Sequence, residues 1–90
     1  MASKWQKQVK ELYNPETGIE SADKVVAKSD GTIEVKKSYF YHRVSASQWA
    51  AEIEAEMDNH GIAHGEVTSR DDYRTWPQTS YVVAIIHPAE

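Results

Sequence analysis

Between Ser45 and Gly61 the chain carries a full set of helix signals, and no other stretch restricts its fold so tightly. Ala46, Trp49, Ala50, Ile53 and Met57 recur at the spacing that gathers side chains into one apolar stripe, at about 3.6 residues per turn. Ser45 and Gln48 have the spacing of a capping box, and Val44 with Trp49 has that of a hydrophobic staple. Gly61 is placed to take the left-handed conformation that stops a helix and turns Ile62 back toward Met57 in a Schellman arrangement. A helix over 46–60 with one buried side is therefore predicted. The rest of the chain must supply what that side covers.

The other elements can be placed from local pattern. Ser3 and Gln6 form a second capping box, and Trp5, Val9, Leu12 and Tyr13 make a stripe, predicting a short helix within 1–14 that ends at Asn14-Pro15. A β-hairpin is expected over 24–44, turning at Asp30-Gly31, the pair favoured in two-residue type I′ turns. Such a turn sets Val26 opposite Val35 and Lys28 opposite Ile33. The second strand alternates imperfectly: Lys37 interrupts the parity of Ile33, Val35, Tyr39 and Tyr41, which a bulge or burial on both faces would reconcile. Two further strands are expected within 65–88, separated by a turn at Trp76-Pro77-Gln78-Thr79, although Arg70-Asp71-Asp72 also suits a loop. The continuous apolar run Val82–Ile86 marks the last as an interior strand. The expected fold is one compact α+β domain of 90 residues in the order α-β-β-α-β-β. Its sheet is four-stranded and mainly antiparallel, packed against one main helix and the short N-terminal one.

Charge is distributed unevenly. Residues 1–44 hold eight Lys or Arg against six acids, whereas 45–90 hold two Arg against eight acids. Four of those acids, Glu52, Glu54, Glu56 and Asp58, lie in the central helix, which has no Lys or Arg. They border its apolar stripe, Glu52 and Glu56 on one side, Glu54 and Asp58 on the other. Each pair is a like-charge i,i+4 pair, costing about 0.2–0.5 kcal/mol. Asp58 also lies at the helix end that disfavours an anion. Selection for stability alone would place lysines among these acids. Glu66, Asp71 and Asp72 would extend the acidic surface if the third strand lies beside the helix.

Other constellations carry less. Lys36, Lys37, Tyr39, Tyr41 and Arg43 interleave cations with aromatic rings, in composition a platform for stacking bases and holding phosphates. The net charge of −4 opposes phosphate binding. His60 and His64 with Asp58 have metal-ligand side chains, but Gly61 and Gly65 break any shared helical face, so no metal site or cofactor is assigned. Cysteine is absent, which excludes disulfides and thiolate zinc sites. No nucleophile stands in a recognisable catalytic context and no glycine loop cradles phosphate, so a non-catalytic protein is expected. The chain shows neither an apolar leader nor a membrane-spanning run, giving the expectation of a soluble cytoplasmic protein with no membrane partner.

In size, charge and lack of enzyme motifs the chain resembles the small, cysteine-free accessory and inhibitor proteins of phages and mobile elements, anti-CRISPR proteins among them. That resemblance implies no role for any particular residue. The leading expectation is a protein-binding module that docks its acidic surface on a basic partner, such as a nucleic-acid-binding complex. The alternative is a nucleic-acid-binding domain using Lys36–Arg43. A homodimer through an exposed strand edge is a further arrangement the sequence permits.

Overall fold

A computed structural model describes residues 3–16, 18, 22–38, 45–73 and 80–89. Helix α1 spans Lys4–Leu12, strands β1 and β2 span Lys24–Ala27 and Ile33–Ser38, and helix α2 spans Ala46–Asn59. Strands β3, Val67–Tyr73, and β4, Ser80–Ile86, complete the expected order. The strands form one antiparallel sheet in the order β1-β2-β4-β3. β2 and β3 thus run parallel to each other with β4 between them, and α2 makes the crossover. The apolar run of β4 is interior, as its composition predicts.

Both helices cover the same face of the sheet. Val9, Leu12 and Tyr13 of α1 and Trp49, Ile53 and Met57 of α2 pack with Ile33, Val35, Val82, Ala84 and Ile86 in one core cluster. The α1 capping box forms in full, and its Gln6 is itself buried. The Gln6 amide donates to the carbonyls of Lys28 (2.8 Å) and Thr32 (2.9 Å), fixing α1 to the hairpin turn. At α2 only half of the expected box forms: the Ser45 hydroxyl accepts from Gln48 N–H at 3.1 Å. Val44, the other half of the staple, lies outside the described residues. The Schellman stop forms as expected, with Gly61 at φ 67° and Ile62 N–H donating to the Met57 carbonyl at 3.0 Å.

The hairpin register differs from the expected one. Val25 faces Val35 and Ala27 faces Ile33, where a two-residue turn would set Val26 against Val35. The reason lies in the turn. Lys28 N–H donates to the Thr32 carbonyl (2.9 Å), Gly31 N–H donates to the Lys28 carbonyl (3.1 Å), and Gly31 has φ 95°. Ser29-Asp30-Gly31 is therefore a three-residue loop ending in a left-handed glycine. The Asp30 carboxylate secures it by accepting from the Thr32 hydroxyl (2.6 Å) and the Thr32 N–H (3.0 Å), bonds that hold its pKa below the ordinary carboxylate value. A one-residue shift exchanges the faces of a strand, so Val25 and Ala27 join the core and Val26 faces the opposite side.

No bulge is needed in β2 over Ile33–Ser38, where pairing with β4 is continuous. Lys37 shares the core face with Ile33 and Val35, and its ammonium stands 4.8 Å from the centroid of the Trp49 ring. Its charged end thus meets an aromatic face.

Val83 is fully buried on the sheet face opposite the helices. Its cross-strand neighbours there are Lys36 and Arg70. Lys36–Asp72 (3.9 Å), Arg70–Glu34 (3.7 Å), Arg70–Asp72 (4.0 Å) and Lys28–Glu34 (3.9 Å) are ion pairs on that face.

Candidate protein-interaction surface

The apolar stripe of α2 fixes the outward directions of its other side chains. With Trp49, Ile53 and Met57 buried, Glu54 and Asp58 are exposed on one border, and Glu52 and Glu56 are half-buried on the other. Ala51 and Ala55 are exposed between the two rows. No Lys or Arg stands in the helix, and neither its first turn nor its last is charged in the sense that its dipole favours.

The four carboxylates are not equivalent. Glu56 accepts a hydrogen bond from the Tyr13 hydroxyl at 2.8 Å, and Tyr13 is fully buried. Glu56 therefore links α1 to α2. Asp58 lies 3.0 Å from Nε2 of His64, whose side chain is 9% exposed while that of Asp58 is 68% exposed. The other ring nitrogen of His64 meets the Gly65 carbonyl at 2.7 Å. This carbonyl contact, then Asp58 and Glu54, raise the His64 pKa above its ordinary value despite the opposing effect of burial. His60, at the C-cap, does not gather with them into a metal site. Among the described residues no group of three or more His, Asp or Glu is arranged to hold a metal ion.

The three acids proposed to extend the ridge separate. α2 packs against β3 and β4, so β3 does lie beside the helix. Arg70-Asp71-Asp72 is strand, and alternation sends its two carboxylates to opposite faces. Asp71 is exposed on the helix-covered side, whereas Asp72 lies on the other face with Lys36 and Arg70. Glu66 is exposed just before β3, beside a shallow cleft of about 450 Å3 lined by Gly65, Glu66, His87 and Pro88.

Comparison with protein-family models, curated proteins and solved structures finds no match to the chain.

The basic strand is divided in the same way as β3. Lys36 is ion-paired on one face and Lys37 is stacked on Trp49 on the other, so the two do not form one patch. Tyr39, Tyr41 and Arg43 lie outside the described residues. Among the described residues, no helix is long and apolar enough to cross a membrane. β3 is an edge strand whose middle carries three consecutive charges, Arg70 to Asp72, a pattern that opposes pairing with a second strand.

Several of these partnerships leave no trace in the sequence pattern. Tyr13 and Glu56 are 43 residues apart, and nothing local marks them as partners. Gln6 is legible as a capping residue, but not as the donor that holds the hairpin turn.

Proposed function

We propose that this chain is a non-catalytic protein-binding module that docks the exposed acidic side of α2 on a basic partner. The observation that carries the proposal is a helix with four carboxylates and no Lys or Arg, its Glu54 and Asp58 turned to solvent. Fold stability accounts for Glu56, which accepts from Tyr13, and in part for Asp58, which meets His64, but not for the absence of any Lys or Arg beside like-charge i,i+4 pairs that weaken a helix. Asp71 adds a further exposed carboxylate on the same side of the sheet. Complementary charge gives fast, salt-sensitive association. The class of partner that this chemistry favours is a protein whose basic surface binds nucleic acid, with the chain acting as an inhibitor by occupying that surface. Its cysteine-free composition suits a reducing compartment such as the cytoplasm.

Capture from lysate by the immobilised chain, at low and high salt, tests this. A basic protein should be retained at low salt and released as the Debye length falls from about 10 Å at 0.1 M toward about 3 Å at 1 M. Glu54→Lys with Asp58→Lys should abolish that capture. Salt-resistant capture, or capture that survives both reversals, would sink the proposal.

A further inference from the structure

His64 sits where the C-terminal end of α2, the loop 61–66 and the end of β4 meet. Its Nδ1 lies 2.7 Å from the Gly65 carbonyl oxygen and its Nε2 3.0 Å from Asp58 Oδ1. Both contacts are to acceptors, and only the doubly protonated ring can donate to both. A neutral ring has one N–H and one lone pair, and that lone pair would face an oxygen lone pair at hydrogen-bonding distance. One contact must then open. The Gly65 carbonyl is the less free to move. Gly65 N–H donates to the His87 carbonyl at 2.7 Å, and a Cβ on Gly65 would stand 2.7 Å from the Pro88 oxygen, so this backbone is closely packed. Asp58, by contrast, has a largely exposed side chain that can turn into water.

We propose that His64 is a proton-operated clasp that fastens Asp58 to the loop leading into β3, and that loss of the ring proton frees the Asp58 carboxylate while Nδ1–H stays bonded to Gly65. The charges acting on the ring come from α2, Asp58 first and then Glu54. His60, at the C-cap of α2, stands before the ring, and Glu66, on the loop, after it. α1, which begins with Lys4, reaches the loop through Trp5 Nε1–H, which donates to the Ala63 carbonyl at 2.7 Å. β4 is followed by His87, whose N–H donates to the Glu66 carbonyl at 3.0 Å. With the clasp closed, a cation stands at the end of α2 where the helix dipole favours one. With it open, α2 presents Asp58 uncompensated, so the negative charge of the acidic side rises over the interval in which His64 titrates.

The folded-state pKa of His64 is raised above the unfolded value of about 6.5. Its stabilising contribution is therefore complete below about pH 6.5 and is lost as pH rises through the folded-state value. Imidazole 15N NMR of the whole chain tests the clasp with no partner required. The expected result is a His64 midpoint above 6.5, a neutral form carrying its proton on Nδ1, and a lower midpoint in Asp58→Asn. A neutral form protonated on Nε2 overturns the proposal in the wild-type chain alone. So does a midpoint at or below 6.5, or one that Asp58→Asn leaves unchanged.

Discussion

Trp49→Ala is expected to destabilise the domain by about 3–5 kcal/mol, the range for deleting a buried aromatic side chain. Trp49 is 1% exposed, and its indole N–H donates to the Val35 carbonyl at 3.0 Å. It joins α2 to the centre of the sheet and also carries the Lys37 ammonium on its ring. A domain of this size has roughly 5–15 kcal/mol in total, so the variant loses a large fraction of its stability. Trp49→Phe keeps most of the apolar volume and loses the indole donor, and its cost should be the smaller. Urea unfolding reads both as a fall in midpoint at nearly constant slope. A near-neutral Trp49→Ala would mean that α2 does not seat on the sheet through this residue.

The second large effect separates carboxylates that look alike in the sequence. Glu56→Lys should cost about 1–3 kcal/mol, because the Tyr13 hydroxyl, on a fully buried residue, loses the acceptor that it meets at 2.8 Å. Glu54→Lys, two positions away and exposed, should fall within about 0.5 kcal/mol of wild type. Glu56→Gln retains an acceptor oxygen and should recover most of the loss. Equal effects at 54 and 56 in thermal or urea unfolding would contradict the division of α2 into a structural border and an interaction border.

What could be read from the sequence follows the reach of each signal. The caps, stripe and stop of α2 are local, and apart from the reciprocal half of the Ser45-Gln48 box, and the Val44 staple that lies outside the described residues, they appear in the fold. β4 is equally legible, because five apolar residues in succession, four of them β-branched and followed by Pro88, suit an interior strand. The hairpin register is not, because Asp30-Gly31 suits either of two turns. The choice between them rests on the Asp30 side chain, which bonds Thr32 beyond the glycine. Asp71 and Asp72 look like one acidic pair until the strand conformation of 67–73 sends them to opposite faces. Lys36 and Arg70 likewise flank Val83 only once β2, β4 and β3 are side by side. The acidic character of α2 was plain from composition, but the engagement of Glu56 with Tyr13 and of Asp58 with His64 depends on tertiary packing.

In the proposed function, the location of charge, rather than its amount, decides binding. Two double variants separate these: Glu54→Lys with Asp58→Lys on α2, and Glu11→Lys with Glu16→Lys, at exposed positions in and just after α1. Each Glu or Asp to Lys change adds two charges, so both variants move the formal net charge from −4 to 0. With circular dichroism establishing that both remain folded, retention of the basic partner at low salt is measured for each. The α2 pair should lose the partner and the α1 pair should keep it. Equal weakening by both pairs, or by neither, would contradict the assignment of binding to the acidic side of α2.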